Sequence, residues 1–276
     1  MILFIFEGKN QEPKIYKTLE RLFFSEENDE RIYVSYCSNI YNFYNIIRSH
    51  DLFNNNDSSI PLLIKEEMRK HPDLNPHISD FSDFNADDIS QVFIFFDYDI
   101  QNSNATRGEQ TKEYNLQIQE MLSFFNDETN HGKLYINYPM VDSYRYTDKL
   151  PDDNYYTYEI SLKNCNRFKE LLAKDKPLYR NEKRLQIREI ENEYVNNDNV
   201  LRDWKYINSQ NIAKANYVCT GQNTIPIIKE TVTQDSVFKN QLKEFVYKKN
   251  TVSILNSFPL FLMDYFKDIN LILPEK

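Results

Sequence analysis

The 276 residues are 41% hydrophobic and 14% aromatic, with 20 Tyr and 19 Phe, enough apolar surface for one large core or two smaller ones. A formal charge of −9 excludes a protein coated in basic residues. The four glycines, Gly8, Gly108, Gly132 and Gly221, spell neither GxGxxG nor a Walker A loop, which removes dinucleotide and P-loop chemistry and leaves any ATPase step to a partner.

In chain order, Ile2 to Phe6 reads as a short apolar strand ending in Glu7-Gly8. Gly8 permits a sharp strand-to-helix turn. Pro13 suits a first helical turn, and Ile15, Leu19, Leu22 and Phe23 recur at helical spacing, predicting a helix through Phe24. A second strand follows over 31–37 and a second helix over 40–48. Residues 51–90 hold an Asn-rich loop, a short helix over 62–70 and a stretch studded with Pro, Asn and Asp; they read as an insertion. Val92 to Phe96 is apolar on both faces, as a central buried strand requires, and it ends in Asp97-Tyr98-Asp99. A helix over 111–125 and a strand over 133–138 come next, then Pro139 at a helix start with Asp142 in the first turn. Residues 1–150 therefore alternate strand and helix, which predicts the α/β class with a mostly parallel sheet flanked by helices. Residues 151–276 read as a mostly helical region, with helices over 160–175, 179–195 and 199–217. Two more lie between 235 and 266, split near Pro259.

Two apolar strands thus deliver acid at their C-terminal ends. In a mostly parallel sheet those ends share one edge, where ligands bind. Carboxylates converging there repel, at about 4 kcal/mol for two unit charges about 4 Å apart in an effective dielectric of about 20. A divalent cation removes that cost, and hard oxygen donors suit Mg²⁺ or Mn²⁺. Glu7, Asp97 and Asp99 are the candidate ligands, although Asp97 and Asp99 also suit a plain helix cap. Glu12 and Asp142 are candidates for a second ion, or acids favoured by a helix dipole. Lys9 either reaches a phosphate or is an ordinary surface lysine; Arg107, Lys112 and Arg145 are further cations within reach of the motif in sequence.

Charge is unevenly spread. Residues 51–100 hold 3 Lys/Arg against 11 Asp/Glu, and residues 161–190 hold 9 against 4. Acid around a metal and base elsewhere suits an enzyme that cuts a polyanion, with Lys163, Arg167, Lys169, Lys174, Lys183, Arg184 and Arg188 along the backbone. Solvated helix faces give the same pattern. Cys37, Cys165 and Cys219 form no CxxC pair and share no zinc spacing with the four His, as expected of free thiols in a reducing cytoplasm. The N-terminal apolar run lacks a basic flank and is too short for a signal peptide. No apolar stretch is long enough to span a membrane, so a cytoplasmic location is expected.

Glu7-Gly8 after one apolar strand and Asp97-x-Asp99 after another resemble the TOPRIM domain, over roughly residues 1–150. That metal-binding fold is shared by topoisomerases, bacterial primases and nucleases of the overcoming-lysogenization-defect (OLD) type. The resemblance implies magnesium held by Glu7, Asp97 and Asp99. In the nuclease branch a second acid follows the first by five residues, and Glu12 stands at that offset. The run Asn137-Tyr138-Pro139-Met140-Val141-Asp142 is similar to a segment of small TOPRIM proteins of phage-defence systems, which often act with a separate ABC- or OLD-type ATPase.

The resemblance implies a Mg-dependent nuclease acting on DNA or RNA, transfer RNA included, as the toxic effector of an anti-phage (abortive infection) system; a homodimer is compatible with it. The catalytic set would be Glu7, Asp97, Asp99 and Lys9, with Lys163, Arg167, Lys169, Arg184 and Arg188 binding nucleic acid. The competing expectation is a regulated subunit docked on a partner ATPase, its nuclease activity latent until release. Topoisomerase and primase readings lack an identifiable tyrosine nucleophile, a DNA gate and a zinc module.

Overall fold

The structure is a computed structural model and describes residues 1–24, 31–36, 38–54, 59–70, 85–98, 109–176, 182–187 and 198–275. The chain forms two compact units, Met1–Pro13 with Glu26–Ile136 and Lys14–Ser25 with Asn137–Lys276.

The first unit is built on a five-stranded sheet of order β2-β1-β3-β5-β4. Its strands are β1 (Ile2–Phe6), β2 (Arg31–Ser35), β3 (Gln91–Asp97), β4 (Asn126–Asp127) and β5 (Gly132–Asn137). β1 is central and pairs in parallel with both neighbours, Phe4 lying opposite Tyr33 on β2 and Phe93 on β3. Every side chain of β1 is buried, as a strand covered on both faces demands. Each Leu, Ile or Phe so buried is worth about 1.5–3 kcal/mol. Rings ladder across the strands: Phe4 stacks on Phe93 at 5.3 Å, and Phe95 on Tyr135 at 5.1 Å. Gly132 takes a positive φ of 113° and lies close to Val92 of β3, where a Cβ would come within 3.1 Å. The sheet is mostly parallel, as the alternation of strand and helix predicts, and β4 closes its edge antiparallel to β5. A two-residue strand has no periodicity to announce it.

Helices α1 (Gln11–Phe23), α2 (Ile40–Ser49), α3 (Ile60–Lys70) and α4 (Glu109–Phe124) follow the expected periodicity. Asn39 caps α2 by accepting from the Asn42 amide at 2.9 Å. The buried stripe Ile40, Phe43, Tyr44 and Ile47 meets the far end of the sheet connection, with Phe43 on Phe125 at 5.8 Å and the Tyr44 hydroxyl donating to Glu120 at 2.7 Å. Of the expected insertion, α3 and a 3₁₀ turn at Ala86–Asp88 are described; residues 55–58 and 71–84 lie outside the described residues.

The second unit is mostly helical, with a small sheet that periodicity does not reveal. The 160–175 stretch is not one helix. Glu159–Ser161 forms β6, Leu162–Arg167 a 3₁₀ run, and Phe168–Asp175 helix α5. β6 pairs antiparallel with β7 (Thr251–Ser253), Ile160 opposite Val252, and a partner so far along the chain leaves no local signal. Helix α6 (Asp198–Thr220) carries Trp204, fully buried, whose indole donates to Leu185 O at 2.8 Å. Of the expected 179–195 helix only a 3₁₀ turn at Glu182–Leu185 is described. Helix α7 (Gln234–Asn240) runs through a π-helical turn at Gln241–Val246 into α8 (Tyr247–Lys249). Asn250 ends it in the left-handed conformation, φ 54°. Pro259 does not divide two helices; it sits in the first turn of α9 (Phe258–Tyr265), where a missing N–H costs nothing. Among the described residues no helix is long and apolar enough to cross a membrane.

Candidate metal centre

β1 and β3 are adjacent parallel strands, so their C-terminal ends fall side by side. The ladder continues one step past β1, Glu7 N donating to Phe95 O at 3.0 Å. The Glu7 side chain then reaches over the end of β3, where Oε2 accepts from the Asp97 amide at 2.7 Å. This charge-assisted bond fixes the direction of one acid against the backbone of the next. With Phe6 opposite Phe95 in the register, it is the Asp97 backbone that meets the Glu7 carboxylate at this edge.

Gly8 follows, and the chain turns into α1. Glu12, in the first turn, is 5% exposed and folds back, Oε1 accepting from the Gly8 amide at 3.2 Å. A Cβ at residue 8 would come within 2.8 Å of Glu12 Oε2, so glycine is needed for this approach. Glu7 and Asp97 thus stand at the ends of β1 and β3, with Glu12 in the helical turn after β1. Carboxylate oxygens are the hard donors a magnesium or manganese ion takes. Among the described residues no group of three or more His, Cys, Asp or Glu could hold a metal ion, so Glu7, Glu12 and Asp97 do not form a ligand set by themselves. Asp99, the remaining expected ligand, lies outside the described residues, as do Arg107 and Arg188.

Tyr98, between the two acids in sequence, was not among the expected site residues. Its side chain is buried, and its hydroxyl donates to Asn115 on α4 at 2.9 Å. Successive side chains of an extended segment point to opposite faces, so an aromatic between two acids is the signal for such an anchor.

Asp142 belongs to the second unit. It is 2% exposed in a 3₁₀ turn at Val141–Arg145. Arg145 Nε donates to its Oδ1 at 3.1 Å, and Lys169 Nζ lies 3.4 Å from Oδ2. Two cations already balance this carboxylate, and a metal ion would have to displace them. Arg145, itself buried, pairs with this carboxylate.

Lys9 and Lys112 are exposed. So are Lys163, Arg167, Lys169, Lys174 and Arg184 of the basic segment, all in the second unit. Arg167 is paired with Glu170 at 2.9 Å. Comparison of the chain with protein-family models, with curated proteins and with solved structures finds no match.

Proposed function

We propose that the chain is a Mg²⁺- or Mn²⁺-dependent nuclease that hydrolyses nucleic-acid phosphodiesters at the Glu7/Asp97 edge, in the manner of TOPRIM nucleases. The observation that carries this reading is the bond from the Asp97 amide to Glu7 Oε2 at 2.7 Å, which sets two acids at the tips of the central strands. Glu7, Asp97 and Asp99 would hold the ion, with Glu12 adjacent. When bound, such an ion polarises the scissile phosphate and lowers the pKa of the attacking water. The protein contributes orientation: the Asp97 amide holds the Glu7 carboxylate, Tyr98 anchors the chain next to Asp97, and Gly8 admits Glu12. Lys9 is exposed next to the acids in sequence, placed to meet a phosphate. Lys163, Arg167, Lys169 and Arg184 would contribute non-specific attraction to the backbone. The resemblance extends the proposal to a toxic effector of anti-phage defence.

The test is Glu7→Gln, which keeps an oxygen to accept from Asp97 N and removes the charge. Purified wild-type protein is expected to cut plasmid, total RNA or transfer RNA with Mg²⁺ or Mn²⁺ and to stop in EDTA. The variant should lose more than the roughly 10–100-fold typical of an outer-shell change, with its circular dichroism unaltered. Growth arrest on expression should vanish with it. A variant that cuts like wild type would refute the site.

A further inference from the structure

Asp97 is held between two buried rings. Phe96 on one side is fully buried and stacks on Phe43 of α2 at 5.2 Å. Tyr98 on the other is 1% exposed, and its hydroxyl donates to Asn115 Oδ1 of α4 at 2.9 Å. Side chains alternate along an extended chain, so residues 96 and 98 share the face that α2 and α4 cover. Those two helices pack on each other, Tyr41 against Tyr114 at 4.4 Å. Between the rings, the Asp97 amide donates to Glu7 Oε2 at 2.7 Å.

The two anchors differ in kind. A ring stack is non-directional and tolerates sliding, whereas a hydrogen bond weakens steeply once bent below about 120°. The Tyr98–Asn115 bond therefore fixes where the chain leaves β3, and with it the peptides that flank Asp97. Helix α4 breaks its own pattern to supply the acceptor. Asn115 lies in its buried stripe with Ile118, Met121 and Leu122, while the next residue, Leu116, is 65% exposed. An amphipathic helix buries its apolar residues, so positions 115 and 116 are inverted. Helix propensity also ranks Leu above Asn. Neither burial nor propensity selects Asn at 115, and the ring at 98 would pack without its hydroxyl. What the pair adds is direction, and positions that break the local rules are where function is expected.

We propose that Asn115 is a positioning residue for the Glu7–Asp97 edge: through the Tyr98 hydroxyl it sets the direction of the Asp97 amide, and so the hold on the Glu7 carboxylate. It deepens the nuclease reading and rests on it for the use made of that carboxylate.

The experiment is a double-mutant cycle on the full chain in EDTA: Tyr98→Phe, Asn115→Leu and the two together. Such a cycle isolates the contribution the two residues share, whatever else each one touches. Amide hydrogen exchange is read at Asp97 and at Val92, whose amide donates to Glu128 O at 2.8 Å at the other end of β3. Each single variant should lower protection at Asp97 at least about tenfold beyond any fall at Val92, as a local opening does and a loss of global stability does not. The double variant should lower it no further than the singles. With Mg²⁺ or Mn²⁺ restored, the metal concentration for half-maximal cleavage should rise about 10–100-fold, as for other residues that orient a ligand. Equal falls at Asp97 and Val92 would make the pair a purely structural contact and overturn the proposal, as would additive effects of the two substitutions. The two proposals fail separately. If the wild type does not cut while the cycle holds at Asp97, only the nuclease reading falls. Metal-dependent cleavage with an Asp97 amide indifferent to the cycle sinks only the positioning role.

Discussion

Asp142 shows how burial decides the role of an acid. Its carboxylate is nearly inaccessible and faces Arg145 on one oxygen and Lys169 on the other. Removing one partner of a buried pair leaves the other charge uncompensated, which typically costs about 3–5 kcal/mol. Lys169 is largely exposed and contributes little, because solvent screens it; the buried Arg145 is the stronger partner. Asp142→Asn keeps an oxygen for Arg145 but no charge, so we expect a loss of about 3 kcal/mol in urea unfolding, with the metal concentration for half-maximal cleavage unchanged. A shifted metal requirement at undiminished stability would make Asp142 a ligand after all. Glu7 and Glu12 each accept from a backbone amide, which orients a carboxylate without bringing a charge.

At the scale of elements, β7 is held by a side chain rather than by a long ladder. Gln241, fully buried at the start of the π-helical turn, donates to Ser253 O at 2.7 Å and accepts from Ser253 N at 3.0 Å. Gln241→Leu orphans both backbone groups at about 1–3 kcal/mol each, so we expect a loss of about 3 kcal/mol. Thr233→Ala, which removes the capping box of α7, should cost only about 1 kcal/mol. Urea titrations of the two variants would contradict this account if their midpoints moved equally. Gln241 also marks where the sequence stops being legible. β1, β3, α1 and α2 repeat their apolar residues locally, and the acids at the strand tips follow from those strands. β6 and β7 are three residues each and find one another only through the tertiary fold. For the same reason the Asp142–Arg145 spacing is visible in sequence and the approach of Lys169 is not.

At the scale of the molecule, the second unit packs a polar core that pH should sense. Asn137, Asn208, Asn211, Lys214, Asn256 and Ser257 are all fully buried. Several of these side chains bond one another and the backbone: Asn137 Oδ1 accepts from Ser257 N and Oγ, and Asn211 Oδ1 from the Tyr155 hydroxyl. Lys214 is the exposed cost of this design in titration terms. Burial pushes its ammonium well below the ordinary lysine value, with Glu159 and Asp152 opposing. Its Nζ donates to Tyr155 O at 3.0 Å and Tyr158 O at 2.6 Å. A lysine whose folded pKa lies below its unfolded one leaves the unfolded chain holding more protons, so stability rises with pH up to the unfolded value near 10.4. His131, lowered by burial, acts in the same sense but is finished by about pH 7. The Cys165 thiol, pushed up to about 12, and the Cys219 thiol, raised by burial, act oppositely, but only once unfolded thiols ionise near pH 8.5. Between about pH 7 and 8.5 Lys214 is therefore the group, among the described ones with a shifted pKa, that makes stability rise with pH. Lys214→Met should flatten that rise. The variant should still fold, because Tyr155 O and Tyr158 O keep the amides of Tyr158 and Ile254 as donors. Urea unfolding of both proteins at the two ends of this window is the measurement, and equal slopes would mean that Lys214 stays charged in the folded chain.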